Sequence, residues 1–321
     1  MPGSGPSVSV IIPTMNRQKD LERCVRSLLA QSRLPEELVV VDDGDLQPEE
    51  ISGLLDGHPI RFVYVKKDRK GLARSRNVGI RHSTGDVLVF LDDDTELDVD
   101  YLRGYLSILE SDTEQRIGGL SGTPTRYVHG VEVPTRTPLT VPVMLSHFFL
   151  LADQRGGRVL PSGFRSPMVD PGDLTDVDFL QGGNMALRRK VLDEFSFDEE
   201  LDRSGGYSLG EDVFFSYPVG RKYALYSTRR ARLKHFATPG NRPNRRDLNR
   251  MKVIHQYRFV RKTMNGGVMN LAAFGWSMIG LVVINSLVFL RRPERNRWSN
   301  LEGILSGIAH VIRHPSGDHV V

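Results

Sequence analysis

The chain has 321 residues, 39% of them hydrophobic and 26% charged, with a formal net charge of +4. This balance excludes a disordered or fibrous chain and indicates one large globular domain, or one domain with an appendage. The single cysteine, Cys24, excludes a disulfide framework and a cysteine-based zinc site within one chain, and its helical setting marks it as a small core residue.

The opening residues, Met1 to Ser7, lack the basic and apolar regions of a signal peptide, so the folded part is expected in the cytoplasm. Val8 to Pro13 reads as a first strand. Asn16 is placed to cap a helix running to about Gln31, with Leu21, Cys24, Val25, Leu28 and Leu29 at helical spacing. Leu38 to Val41 is a second strand that ends in Asp42-Asp43-Gly44, and Ile60 to Val65 a third. Gly71 to His82 reads as a helix and Val87 to Leu91 as the fourth strand. Strands alternating with helices predict an α/β fold, with a mostly parallel sheet and helices on both faces. Ligands of such sheets bind beyond the carboxyl ends of the strands.

Those ends carry acids. The fourth strand runs straight into Asp92, Asp93 and Asp94. Carboxylates crowded together repel one another unless a cation or hydrogen-bond donors compensate them. Hard divalent cations take oxygen ligands, often together with substrate phosphates. The pattern points to a metal-dependent site for a phosphorylated substrate; a solvated turn capping the next helix is the plainer reading.

Residues 117–175 are rich in Gly, Pro, Thr and Arg, with a strand expected near Leu120 to Val128 and loops beyond it that cover the site. Val177 to Leu180 reads as a strand, followed by Gln181-Gly182-Gly183-Asn184 and a helix from about Arg188. Gly210-Glu211-Asp212 reads as a helix start, where acids suit the dipole.

The tail changes character. Twelve basic residues lie between Arg229 and Lys262, against one acid, Asp247, which points to an anionic partner. Thr263 to Leu290 contains no charge, and its core from Leu271 is long enough to cross a bilayer at about 20 residues. A shorter apolar segment runs from Leu301 to Ile312. Three readings stand: a single span, a monotopic or re-entrant anchor, and a core or homodimer helix. Basic clusters on both sides of the apolar stretch resist translocation and favour the monotopic or re-entrant anchor, with both ends cytoplasmic. The boundaries drawn are residues 1–236 for a catalytic domain, 237–262 for a basic juxtamembrane linker and 263–321 for a membrane-associating tail.

Taken together, five segments resemble the family 2 glycosyltransferases in that family's order: Val8 to Arg17, Val39 to Gly44, Gly71 to Gly79, Leu91 to Asp94, and Gly210 to Asp212. They cover roughly residues 7–236. The resemblance implies a nucleotide-diphospho-sugar-binding fold of the glycosyltransferase-A type and a hexosyltransferase that inverts the anomeric carbon. It implies Asp94 as a ligand of Mn²⁺ or Mg²⁺, with Asp92 and Asp93 touching the ribose or orienting the metal. Asp42 would accept from a nucleobase N–H, and Pro13 and Thr14 would pack on the nucleoside. Arg76 and Asn77 are candidate nucleotide contacts, or a solvated cation and a local cap. Asp212 takes the position of the general base, with Glu211 holding it or binding the acceptor. His235, 23 positions after Asp212, is a candidate metal ligand or a structural histidine. Gly182 and Gly183 would let backbone approach the donor sugar or acceptor, or would form a simple turn.

A UDP-sugar is the first expectation for the donor, with GDP- and dTDP-sugars next. A lipid-linked or glycan acceptor and an anionic membrane surface are the expected partners. No signature of a nucleic-acid-binding fold accompanies the basic block. A nucleotidyltransferase would need a Gly-rich loop after the first strand, and Thr14-Met-Asn-Arg17 is not one. A non-catalytic scaffold would have no need to keep all of these acids.

Overall fold

The apolar runs of the first ninety residues become one half of a sheet. The computed structural model describes residues 5–128, 131–133, 141–168, 172–203, 208–236 and 243–317. The chain divides into two compact units: residues 1–135, 170–202 and 211–238 form the first, and 136–169, 203–210 and 239–321 the second.

In the first unit, strands β1 (Val8–Thr14), β2 (Glu37–Asp42), β3 (Arg61–Lys66) and β4 (Val87–Leu91) alternate with helices α1 (Gln18–Leu29), α2 (Pro48–Leu54) and α3 (Leu72–His82). Then follow β5 (Thr95–Leu97), α4 (Tyr101–Ser111), β6 (Ile117–Val128) and β7 (Val131–Val133). Helix α5 (Val141–Phe148) belongs to the second unit, and the chain returns with β8 (Thr175–Asp176), β9 (Asn184–Arg188), α6 (Arg189–Glu194), α7 (Glu211–Gly220) and β10 (Ala224–Phe236). The sheet order is β3-β2-β1-β4-β9-β6-β10-β5, with β7 on β6 and β8 on β10.

Strands β1, β2, β3 and β4 pair in parallel, as do β6 and β10. Between these groups β9 runs antiparallel to both β4 and β6. The sheet is therefore mixed, parallel in its first half and reversed at β9. Its core includes Val10, Ile12, Leu28, Val40, Val89 and Leu91, all at most 1% exposed. Burying each such side chain contributes about 1.5–3 kcal/mol.

Two local expectations change. Val177 to Leu180 forms no regular strand: Val177 and Leu180 are buried as loop, with their N–H groups held by the Leu225 carbonyl at 3.0 Å and Ser216 Oγ at 2.9 Å. The strand is instead Asn184–Arg188, whose backbone is satisfied by pairing on both sides. Asn16 does not cap α1. It has a left-handed backbone (φ 58°), and its side-chain oxygen accepts from the Asp45 N–H at 2.9 Å, holding the β2 turn.

In the second unit, α8 (Arg245–Arg258) carries much of the basic block and continues as a short π-helical turn over 259–263; Arg242 lies outside the described residues. Helix α9 (Val268–Arg291) takes up the charge-free stretch, and α10 (Arg295–Arg313) the second apolar segment. Val253, Val260, Phe274, Met278 and Ile304 form a core shared by these three helices. Among the described residues, α9 is long and apolar enough to cross a membrane.

The start of α3 is held from far along the chain. Gly71 precedes it with φ 148°, a conformation that suits glycine, and a Cβ there would collide with the Asp202 carboxylate. That carboxylate accepts from the N–H groups of Ala73 (3.2 Å) and Arg74 (2.9 Å), the role an N-cap side chain usually fills locally. Asp202→Ala is expected to lower stability by about 1–2 kcal/mol, read as a shifted urea midpoint at unchanged slope.

Candidate active site

The carboxyl ends of β1, β2 and β4 meet at one edge of the first unit. Asp42, at the end of β2, is fully buried. Its carboxylate accepts from Gly44 N–H (2.6 Å), Leu46 N–H (3.2 Å), Tyr64 Oη (3.0 Å) and Lys66 Nζ (3.2 Å). Burial works against its charge, but these donors outweigh it and hold the carboxyl below the usual range. Asp42 thus organises its own turn, and a nucleobase donor would have to share a carboxylate already well supplied. Its neighbour Asp43 accepts from the Gly71 N–H at 3.0 Å and pairs with Lys67 at 2.8 Å, tying the turn to α3.

The three acids after β4 point in different directions. Asp93 turns to β1, where Thr14 Oγ1 donates to it at 2.8 Å and Arg17 Nη1 at 3.0 Å. Burial pushes its carboxyl up to about 7 against these two donors. Asp94 also receives Arg17, at 3.3 Å, and faces His235 Nε2 across 3.1 Å. Asp92, Asp94 and His235 present ligand atoms all within 4.8 Å of one another. Two carboxylates and an imidazole are a donor set that suits Mn²⁺. Desolvation disfavours the imidazolium of His235, yet the bond to Asp94 and the charges of Asp92 and Asp94 prevail and raise its pKa.

The sheet explains how His235 reaches this place. β5 runs antiparallel to β10 with Thr95 opposite His235, and the Phe236 N–H donates to the Asp94 carbonyl at 2.9 Å. The turn after β4 therefore lies against the end of β10.

Arg76, on α3, is 1% exposed. Its Nη1 donates to Glu211 Oε1 at 2.5 Å, and its Nη2 lies 3.8 Å from Asp92. Burial alone would lower its pKa; Glu211 and Asp92 reverse that and raise it. Glu211 is itself buried, which pushes its carboxyl up to about 7 in spite of Arg76, with the charge of Asp212 adding to the rise. Asp212, the second residue of α7, accepts from the Gly182 N–H at 3.3 Å.

Gly182 and Gly183 fit closely beneath these groups. A Cβ on Gly182 would stand 2.6 Å from Arg76 Nη2, and one on Gly183 would overlap the Asp92 carboxylate. The two glycines are required by Arg76 and Asp92, which rest on the turn. Asn77 takes a different part: its amide donates to the Phe197 carbonyl (2.9 Å) and Glu199 (3.0 Å) and accepts from the Phe197 N–H (3.0 Å), clamping 197–199 to α3.

A cavity of about 290 Å³ joins both acidic groups. Arg76, Asp92, Gly182, Gly183, Glu211, Asp212 and His235 line it; Pro13, Thr14, Asp42, Asn77, Asp93 and Asp94 do not. Sequence reasoning missed Arg17, Arg126, Gln181 and Asn184. The last three line the cavity, and the Asn184 oxygen is fixed by the hydroxyls of Tyr101 (2.7 Å) and Tyr105 (3.0 Å). Only the cation Arg17, beside the first strand, carried a signal, as a counter-charge in want of acids.

The model of glycosyl transferase family 2 matches residues 9–195, more than half of the chain. The chain is similar to the chondroitin synthase of Pasteurella multocida, 26% identical over 264 residues that make up 77% of this chain and 26% of that protein. A GalNAc(5)-diNAcBac-PP-undecaprenol beta-1,3-glucosyltransferase of Campylobacter jejuni is 35% identical over 107 residues, 32% of this chain and 33% of that one. Among solved structures, a mannosyltransferase from Pyrobaculum calidifontis in complex with GDP-Man and Mn²⁺ shares the fold, with a TM-score of 0.56, 17% identity, and coverage of 98% of this chain and 89% of that chain. The matches to the first curated relatives span 16–30% of their length. The extent of the family match, over more than half of the chain, establishes that this chain belongs to glycosyl transferase family 2.

Proposed function

We propose that the protein is a metal-dependent, inverting glycosyltransferase. It moves a sugar from a nucleotide-diphospho-sugar to a hydroxyl of a lipid-linked or polysaccharide acceptor at the cytoplasmic membrane face, in cell-envelope polysaccharide synthesis. The single observation that carries this reading is the shared cavity, lined by Asp92 and His235 and by Glu211 and Asp212.

Asp94 and His235, with Asp92 beside them, would hold Mn²⁺ or Mg²⁺, and the Mn²⁺ in the Pyrobaculum neighbour supports the first. Such an ion, when bound, supplies Lewis-acid neutralisation of the departing diphosphate. Arg126 adds a fixed cation to the same cavity. Asp212 takes the proton of the acceptor hydroxyl as it attacks. Glu211 is the lesser candidate for base, because its Oε1 is engaged by Arg76; it anchors that guanidinium instead. A base acting on the acceptor from the side opposite the leaving diphosphate gives inversion. Asp93 and Thr14 brace the acidic turn from below, and Asp42 and Pro13 shape the nucleoside end. The undecaprenol in the printed name of the Campylobacter relative supports a lipid-linked acceptor, and α9 supports a membrane-side location.

Asp212→Asn is expected to lower the transfer rate about 10²–10⁴-fold while calorimetry shows nearly unchanged donor binding; a variant that transfers normally removes Asp212 from the base role. A panel of UDP-, GDP- and dTDP-sugars with the wild-type protein identifies the donor.

Metal affinity should fall with acid. His235 must be neutral to ligate, and its raised pKa means that protons compete for it above the ordinary histidine range. Titration of Mn²⁺ should therefore give weaker binding at about pH 6 than at about pH 8, and equal affinities would count against His235 as a ligand. Gly183→Ala, which pushes Asp92 from its seat, should weaken Mn²⁺ binding about tenfold or more with the fold retained by circular dichroism.

A further inference from the structure

Helix α9 is apolar on both sides, and among the described residues only one side is covered. Its inner face carries Phe274 and Met278, each 6% exposed, in a core with Val253 and Val260 from the α8 segment and Ile304 of α10. The Ser277 hydroxyl on that face donates to the Phe149 carbonyl at 2.8 Å. The outer face carries Trp276, Ile279, Val283, Leu287 and Leu290, spaced three or four apart and between 37% and 73% exposed. At about 1.5 Å per residue this stripe runs about 21 Å. Helix α5 widens it: Phe148 (63% exposed) packs edge-on to Trp276, whose Nε1 donates to the Phe148 carbonyl at 2.9 Å, and Met144 is exposed one turn earlier. The stripe contains no charge, but exposed cations stand at its ends: Arg261 and Lys262 before the helix, Arg291 as its last residue, and Arg292 and Arg295 after it, against one exposed acid there, Glu294.

We propose that this outer face of α9, widened by Met144 and Phe148, is a docking surface for an anionic lipid leaflet, on which α9 lies in the plane of the membrane and does not cross it. This deepens the reading of the protein as a membrane-side transferase and rests on that reading for its biological setting.

Two observations carry the proposal. A crossing helix must take its packed neighbours into the bilayer with it, but α9 is packed on α10, which brings Arg295, Arg297 and Arg313, and α10 is packed in turn on α8, which brings Arg245, Arg246, Arg250, Lys252 and Arg258. Carrying those charges into hydrocarbon is prohibitive beside the gain from α9. An in-plane helix needs only one lipid-facing stripe, bordered by cations that meet headgroup phosphates and sinking about 5–10 Å into the interface. That description matches the exposed face residue by residue.

The test uses the full chain without donor or acceptor, so its failure leaves the transferase reading untouched. Vesicles of phosphatidylcholine with phosphatidylglycerol should float the protein, and pure phosphatidylcholine should do so more weakly. The double variant Ile279→Asp, Leu287→Asp changes only exposed side chains and should cut partitioning about tenfold or more; unchanged flotation would overturn the proposal. The protein has two tryptophans, so Trp298→Phe isolates Trp276. Lipids brominated near the headgroup should then quench its fluorescence more strongly than lipids brominated at the chain ends. Deep quenching would overturn the in-plane placement. Absence of flotation together with a concentration-dependent dimer that the double variant dissolves would assign the face to a second copy instead.

Discussion

One buried cation organises this site. Arg76 sits in the interior with Glu211 on one amine and Asp92 near the other. A guanidinium out of water is tolerated only when opposite charges and hydrogen bonds replace its hydration, and removing a partner from such a pair costs about 3–5 kcal/mol. The fold must therefore deliver three distant segments to one point: α3 with the arginine, the turn after β4 with Asp92, and the start of α7 with Glu211. Arg76 makes the two acidic groups interdependent, since both face the same positive charge. The devices around it serve the same end. Asp202 and Asn77 fix α3 against residues 197–202, and the paired glycines leave the guanidinium a flat seat.

The strand tips were legible because the alternation of apolar runs and helical spacing is a local signal, and a carboxylate ending such a run is conspicuous. Asp42, Asp92 and Asp94 could be picked out on that basis, whereas Glu211, Asp212, Gly182, Gly183 and His235 were singled out through the resemblance to family 2 glycosyltransferases. Their partners could not. That Arg17 faces Asp93 and Asp94, or that Arg76 is enclosed, depends on which strands become neighbours, and a list of residues does not contain that information. The same limit applies to Asn77, whose amide is engaged by the backbone at Phe197, 120 positions on. Strand β9 was missed for a related reason. Asn-Met-Ala-Leu-Arg is short and its type is ambiguous; it becomes a strand because β4 and β6 both offer open edges.

The second unit was legible in composition and obscure in shape. An uncharged stretch of helical length announces contact with something apolar, but not which side of the helix makes it. Core contacts from Val253, Val260 and Ile304 divide α9 lengthwise into a face that belongs to the protein and a face that does not. Helix α5, within a stretch read as loops, gained its place by laying Phe148 beside Trp276.

The reversed direction of β9 has a consequence for how the molecule tolerates change. In a purely parallel sheet every chain segment reaches the ligand-binding rim as a strand finishes. Here one segment arrives at that rim before its strand begins, since Asn184 stands opposite Leu91 and the glycine pair comes just ahead of it. The opposite rim, where β9 finishes at Arg188 and β6 starts at Ile117, is laced together by Arg188 reaching the carbonyls of Leu109 (2.7 Å) and Ile117 (3.0 Å). That lacing holds two strands in register at a distance from any reacting atom. Inserts or fused modules placed between Asp112 and Arg116 would burden the scaffold alone, leaving the chemistry at the other end free of selection against them.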